Sequence, residues 1–136
     1  MSDLTYEQAR SVIDAALARA RELGSPSSVA VVDGGRELLA FARQNGALLA
    51  SAQISQAKAY TSRSLNMATK DIGALTQPGQ PLYGLETAHR AGPFITFGGG
   101  RPIEIGGVVV GAIGVAGGSP DDDDAVAAAG AAAVGS

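Results

Sequence analysis

The chain contains no cysteine and no tryptophan, and only three phenylalanines and three tyrosines among its 136 residues. Without cysteine there is no disulfide, no thiolate metal site and no cysteine nucleophile. With so few aromatics, the core has to be built from Ala, Val, Ile and Leu. Basic runs are missing too. A net charge of −3 and a pI near 5.0 exclude the electrostatic footprint of a nucleic-acid binder. No apolar run is long enough to span a bilayer. The opening residues, MSDLTYEQAR, show neither the basic nor the apolar part of a secretory leader. The expectation is one cytoplasmic domain over residues 1–136, large enough for a single two-layer core.

Thr5 followed by Gln8 fits a helix-opening capping box. Ala9, Val12, Ile13, Ala16, Leu17 and Ala20 then share a helical face, and Gly24-Ser25-Pro26 ends the helix. Two apolar runs, Ser28 to Val32 and Glu37 to Phe41, are split by Asp33-Gly34-Gly35, a hairpin signal. Asp33 reads first as a turn residue and second as a ligand contact. Residues 47–67 suit a second helix with an apolar face of Ala50, Ile54, Ala57, Thr61 and Leu65. Ser51, Ser55, Lys58 and Ser62 lie in a polar band beside it. Residues 70–93, punctuated by Gly and Pro, read as a long connection of the kind that often carries function. The only imidazole, His89, lies there, three residues after Glu86.

The stretch FITFGGGRPIEIGGVVVGAIGVAGG, residues 94–118, is dense in glycine. A phosphate-binding fingerprint needs strand, glycine turn and helix. Here the glycines are followed by strand-like runs, so the pattern predicts a meander of strands 94–97, 102–105 and 108–116. VVVGAIGVA does not alternate, which predicts burial on both faces. One helix layer covering one face then leaves the other for a second copy, predicting a homo-oligomer. Ser119-Pro120 and the Asp121–Asp124 run open a last helix, with the aspartates at its positive end.

VAVVDGGRELLAFARQNGA, the Lys58-Ala59-Tyr60-Thr61 helix and FGGGRPIEIGGVVVGAIGVAGGSPDDDDAVAAAG together resemble the GlcG/HbpS-like domains, also called haem-degrading-domain-like or PduO C-terminal-like proteins (DUF336). The resemblance spans nearly the whole chain. It implies an α/β (α+β) single domain of profilin-like shape, with a five-stranded antiparallel sheet flanked by helices, and it implies homo-oligomers. It also brings haem as a candidate cofactor, since some members bind haem. Others are linked to glycolate or propanediol utilisation, or act as extracellular redox sensors. The chain departs from the common pattern at Arg43-Gln44-Asn45-Gly46-Ala47, where the family often has Arg-Met-Asp-Gly-Ala. It departs again at Val115-Ala116-Gly117-Gly118, where Val-Ser-Gly-Gly is usual, and in the Asp121–Asp124 run, where Gln-Asp-Glu is usual.

Three functional readings follow. The first is a small-ligand or haem binder. His89 is its candidate axial ligand, since Met1 and Met67 are poorly placed and there is no thiolate. The second is a cofactor-free lyase, isomerase or hydrolase acting on a small anionic metabolite. His89 or Glu86 would be its acid–base group, with Lys58 or Arg43 holding the anion. The third is an assembly subunit. For a ligand pocket, the expected contacts are Asp33, Arg43, Lys58, Gly98, Gly99, Gly100 and Arg101. The three glycines could offer N–H groups to an anion beside Arg101, or serve only as a flexible hairpin.

Overall fold

A computed structural model describes residues 3–88 and 94–134. Helix α1 (Tyr6–Leu23) leads into a hairpin of β1 (Ser28–Asp33) and β2 (Leu38–Arg43). Helices α2 (Ser51–Leu65) and α3 (Thr69–Leu75) follow, then a single 3-10 turn at Leu85–Thr87. A second hairpin, β3 (Gly100–Ile105) and β4 (Val108–Ala116), precedes α4 (Pro120–Ala132). The strands form one antiparallel sheet in the order β2-β1-β4-β3.

The local signals act as expected at the helix ends. Thr5 accepts from the Gln8 N–H, and the Gln8 side chain accepts from the Thr5 N–H. Gly24 closes α1 in the left-handed region at φ 63°. Ser119 caps α4 by accepting from the Asp122 N–H at 3.1 Å, with Pro120 in the first turn.

The sheet has four strands among the described residues, where the resemblance implied five. Residues 94–97, expected as a strand, carry no ladder. They dock instead on two helices. The Ile95 N–H donates to Thr61 Oγ1 at 3.0 Å, and the Thr96 carbonyl lies against Gly73 of α3. Gly98 then packs against the Pro120 carbonyl, and β3 begins at Gly100.

Both faces of the central strands β1 and β4 are covered within one chain. Helices α1 and α4 pack on one side. Val12, Ala16, Val126 and Ala127 there meet Val29, Val31, Ile113 and Val115. Helix α2 crosses the other side over β1, β4 and β3. This corrects the reasoning that gave the second face of β4 to another subunit, because α2 already fills it.

The face α2 presents is also a correction. Its buried residues are Ser51, Ser55, Lys58, Ala59, Thr61 and Ser62, which are largely the polar band and not the expected apolar stripe. The cause is close approach. A Cβ at Gly114 would clash with the Ser55 carbonyl and come within 2.5 Å of the Ala59 nitrogen, so the helix backbone rests on a glycine of β4. Apart from Lys58, the buried side chains at that separation are small, and the hydroxyls are satisfied locally. Ser55 donates to the Ala52 carbonyl, Thr61 to the Ala57 carbonyl, and Ser51 to the Leu48 carbonyl beside Ser28.

Candidate functional site

Lys58 sits at the centre of the α2 face with 1% of its surface exposed. Its ammonium donates to the Val115 carbonyl at 2.8 Å and to Asp123 Oδ2 at 3.1 Å, and lies 5.0 Å from the centre of the Phe97 ring. Burial pushes the Lys58 pKa below its ordinary value of 10.5, and the charge and hydrogen bond of Asp123 pull it back only in part. Asp123 Oδ1 accepts from the Gly118 N–H at 2.9 Å, so this carboxylate ties α2, the end of β4 and α4 together.

Beside this pair, Arg101 grips Asp124 with both arms of its guanidinium, Nε to Oδ1 at 2.8 Å and Nη2 to Oδ2 at 2.7 Å. Lys70 approaches the same carboxylate at 3.4 Å. Burial alone would raise the Asp124 pKa. The hydrogen bonds and charge of Arg101, with Lys70, outweigh it and hold the carboxyl below its ordinary value of 3.8. The Asp121–Asp124 run therefore does more than cap a helix, because two of its members are ion-pair partners. No group of acidic or imidazole side chains that could hold a metal occurs among the described residues.

The glycine triplet belongs to this packed region. A Cβ on Gly99 would meet the Val115 carbonyl and come within 2.6 Å of Lys58 Nζ. A Cβ on Gly100 would come within 2.6 Å of Thr69 Cγ2. The Gly100 N–H donates to Thr69 Oγ1 at 2.9 Å, and the Gly99 carbonyl accepts from Val115. The ligand pocket expected between Lys58 and this loop is thus filled by the loop itself. Arg101 has its carboxylate already. These glycines are there because strand, helix and loop meet too closely for a side chain.

The other expected site residues lie elsewhere. Asp33 Oδ1 accepts from the N–H groups of Gly35 and Glu37 at 2.8 and 3.0 Å, which holds the β1–β2 turn. Arg43 is exposed at the end of β2, and Glu86 is half-buried in the 3-10 turn. His89 lies outside the described residues. The expectation that Asp33, Lys58 and Arg101 line one pocket is not met. Asp33 holds a turn at the hairpin end of β1, whereas Lys58 and Arg101 are bound to adjacent aspartates of α4.

Among the described residues, two surface recesses stand out. One, of about 400 Å³, runs between the end of α1 and the start of the loop after β2, lined by Ala20, Arg21, Gly24, Ser25, Pro26, Gln44 and Asn45. The other, of about 170 Å³, is lined by Gly34, Arg36, Arg63 and Ser64. Neither arginine is singled out by the sequence. The available hint is the Asp-Gly-Gly-Arg turn, whose fourth residue takes the left-handed conformation at φ 70° and so swings Arg36 over α2.

Residues 4–132 match the family model described as haem degrading protein HbpS-like. The chain belongs to the HbpS-like family. Among its relatives, a 15.0 kDa protein from the dhaT–dhaS intergenic region of Citrobacter freundii is 37% identical over 119 residues, covering 88% of this chain and 83% of that protein. The corrinoid adenosyltransferase PduO of Salmonella typhimurium is 37% identical over 117 residues, covering 85% of this chain but only 34% of PduO. This HbpS-like chain therefore corresponds to about a third of that protein. Among solved structures, the PduOC:haem complex superposes with a TM-score of 0.92 at 33% identity, covering 98% of this chain and 96% of that one.

Proposed function

We propose that this HbpS-like domain is a small-ligand binder whose ligand is haem. The observation that carries the reading is the likeness to the PduOC:haem complex along almost the whole chain. The residues present fit such a ligand. His89 is a strong nitrogen donor for iron, and its segment is bracketed by Leu82 and Tyr83 on one side and Phe94 and Phe97 on the other. Leu82, Tyr83 and Phe97 are exposed, and Phe94 stacks on Tyr60 with ring centroids 6.4 Å apart. Lys58, a second nitrogen candidate, is buried and held by Asp123. When bound, haem would supply a redox-active iron. The protein's part is to offer the imidazole and the apolar walls. The acid–base reading with His89, Glu86 and Lys58 loses one of its two anion holders, since Lys58 is buried in an ion pair, and is left with the exposed Arg43.

Titration with hemin tests this. The expected result is a sharp Soret band saturating at one hemin per chain and lost or shifted in His89→Ala. A featureless spectrum of free hemin in the wild-type protein would refute the reading.

We also infer self-association, on a surface other than the one the sequence suggested. Helix α2 leaves the adjoining side of edge strand β2 bare. Leu38 and Phe41 pair with Val32 and Ala30 on that face of the sheet, yet Leu38 is 51% exposed. Leu48 and Leu49 precede α2, and Leu49 is 88% exposed. Such a group of apolar side chains beside an unpaired strand edge suits a second copy of the chain.

A further inference from the structure

The geometry points to an oxyanion site in the recess between the β1–β2 turn and the last turn of α2, and we propose that Arg36 and Arg63 bind a phosphate or carboxylate group there. The recess is formed by Gly34, Arg36, Arg63 and Ser64 and holds about 170 Å³, room for one such group and not for a whole nucleotide. Arg63 Nε is buried without a hydrogen-bond partner, the one buried side-chain nitrogen or oxygen among the described residues left in that state. One arm of its guanidinium is held, because Nη1 donates to Asn66 Oδ1 at 2.6 Å. A buried N–H without an acceptor has lost its water and gained nothing in return. Arg63 lines the recess, and an anion drawn in far enough to reach Nε would remove that deficit.

Arg36 supplies the second cation. Its guanidinium lies 4.6 Å from the centre of the Tyr60 ring, and Nη1 donates to Ser64 Oγ at 3.3 Å. Ser64 in turn donates to the Tyr60 carbonyl at 2.7 Å, so Arg36 is steered by a hydroxyl that is itself anchored. Neither arginine meets a carboxylate among the described residues, in contrast to Arg101 on Asp124. Two uncompensated guanidiniums facing one polar recess repel each other, and an oxyanion between them turns that repulsion into attraction. Planar N–H forks suit the oxygen pairs of phosphate and carboxylate. The Asp33-Gly34-Gly35-Arg36 turn builds the site. Asp33 fixes the turn through two N–H groups, and Gly34 leaves the wall without a side chain. This inference does not rest on the haem reading, because its test uses no hemin.

The test is an NMR titration of the arginine Nε–H signals with inorganic phosphate, sodium acetate and sodium chloride at matched ionic strength. Saturable shifts of the Arg63 and Arg36 signals with phosphate or acetate, and not with chloride, are expected. Arg36→Met and Arg63→Met should each weaken the binding at least tenfold. Arg63→Lys, which keeps the charge but has no Nε donor, should weaken it as well. Tighter binding of phosphate would assign a phosphoryl ligand, and tighter binding of acetate a carboxylate one. Linear shifts equal to those with chloride would overturn the site, as would saturation that persists in Arg36→Met. The Arg36 side chain is exposed, so that variant carries the test even if Arg63→Met fails to fold.

Discussion

Asp123 is the residue on which the buried charge of Lys58 depends. Asp123→Asn keeps the shape and the acceptor for Gly118 but strips the counter-charge from an ammonium with almost no solvent. The expected loss is about 3 kcal/mol or more, measured by urea unfolding, because breaking one partner of a buried pair leaves the other uncompensated. Replacing both, as Lys58→Met with Asp123→Leu, should recover most of that loss. Asp124 behaves differently. Its folded pKa lies below the ordinary 3.8, so the unfolded chain takes up this proton first as the pH falls. Its stabilisation is complete above that value and disappears as pH drops through the folded one. Melting curves should therefore show Asp124→Asn less stable than wild type at pH 6, with the gap narrowing as the pH falls below 3.8. A constant gap across that range would contradict the Arg101–Asp124 assignment.

At the scale of elements, the meeting of α2 with β4 decides the architecture. Gly114→Ala should cost about 1–3 kcal/mol by overpacking, since the added methyl runs into the backbone of α2 and cannot be relieved by turning a side chain. A melting temperature close to wild type would show that the helix can lift off. The same contact explains what the sequence conceals. Helix α1, the β1–β2 hairpin and the start of α4 are legible because each carries its own local chemistry: a capping box, an Asp-Gly turn, and a Ser-Pro start. Helix α2 is legible as a helix but not in its orientation. Apolar periodicity assumes that burial selects greasy side chains, whereas here it selects one lysine and small side chains whose hydroxyls bond to nearby carbonyls. Residues 94–97 have the composition of a strand but meet helix side chains instead of a neighbouring strand. The roles of Asp123, Asp124, Arg36 and Arg63 depend on partners that lie far along the chain, and no local spacing announces them.

For the whole molecule, the uncovered side of β2 predicts association. Light scattering at micromolar concentration should give a mass above that of one chain, and Phe41→Glu with Leu49→Glu should return it to the monomer without unfolding it. A wild-type monomer at that concentration would remove the interface. The sheet order has a separate consequence for how the chain acquires its shape. Its two central strands, β1 at Ser28–Asp33 and β4 at Val108–Ala116, are drawn from distant parts of the sequence, and α1 rests on α4 from near the other end. The middle of the sheet therefore cannot close until most of the polypeptide has been made. A nascent chain released before Val108 has a hairpin with one side of its inner strand unpaired, and an α2 with no glycine floor to rest on. Folding of the finished chain should accordingly fall nearer milliseconds to seconds than microseconds. During synthesis, the exposed edge of β1 is the surface that chaperones or neighbouring chains would meet first.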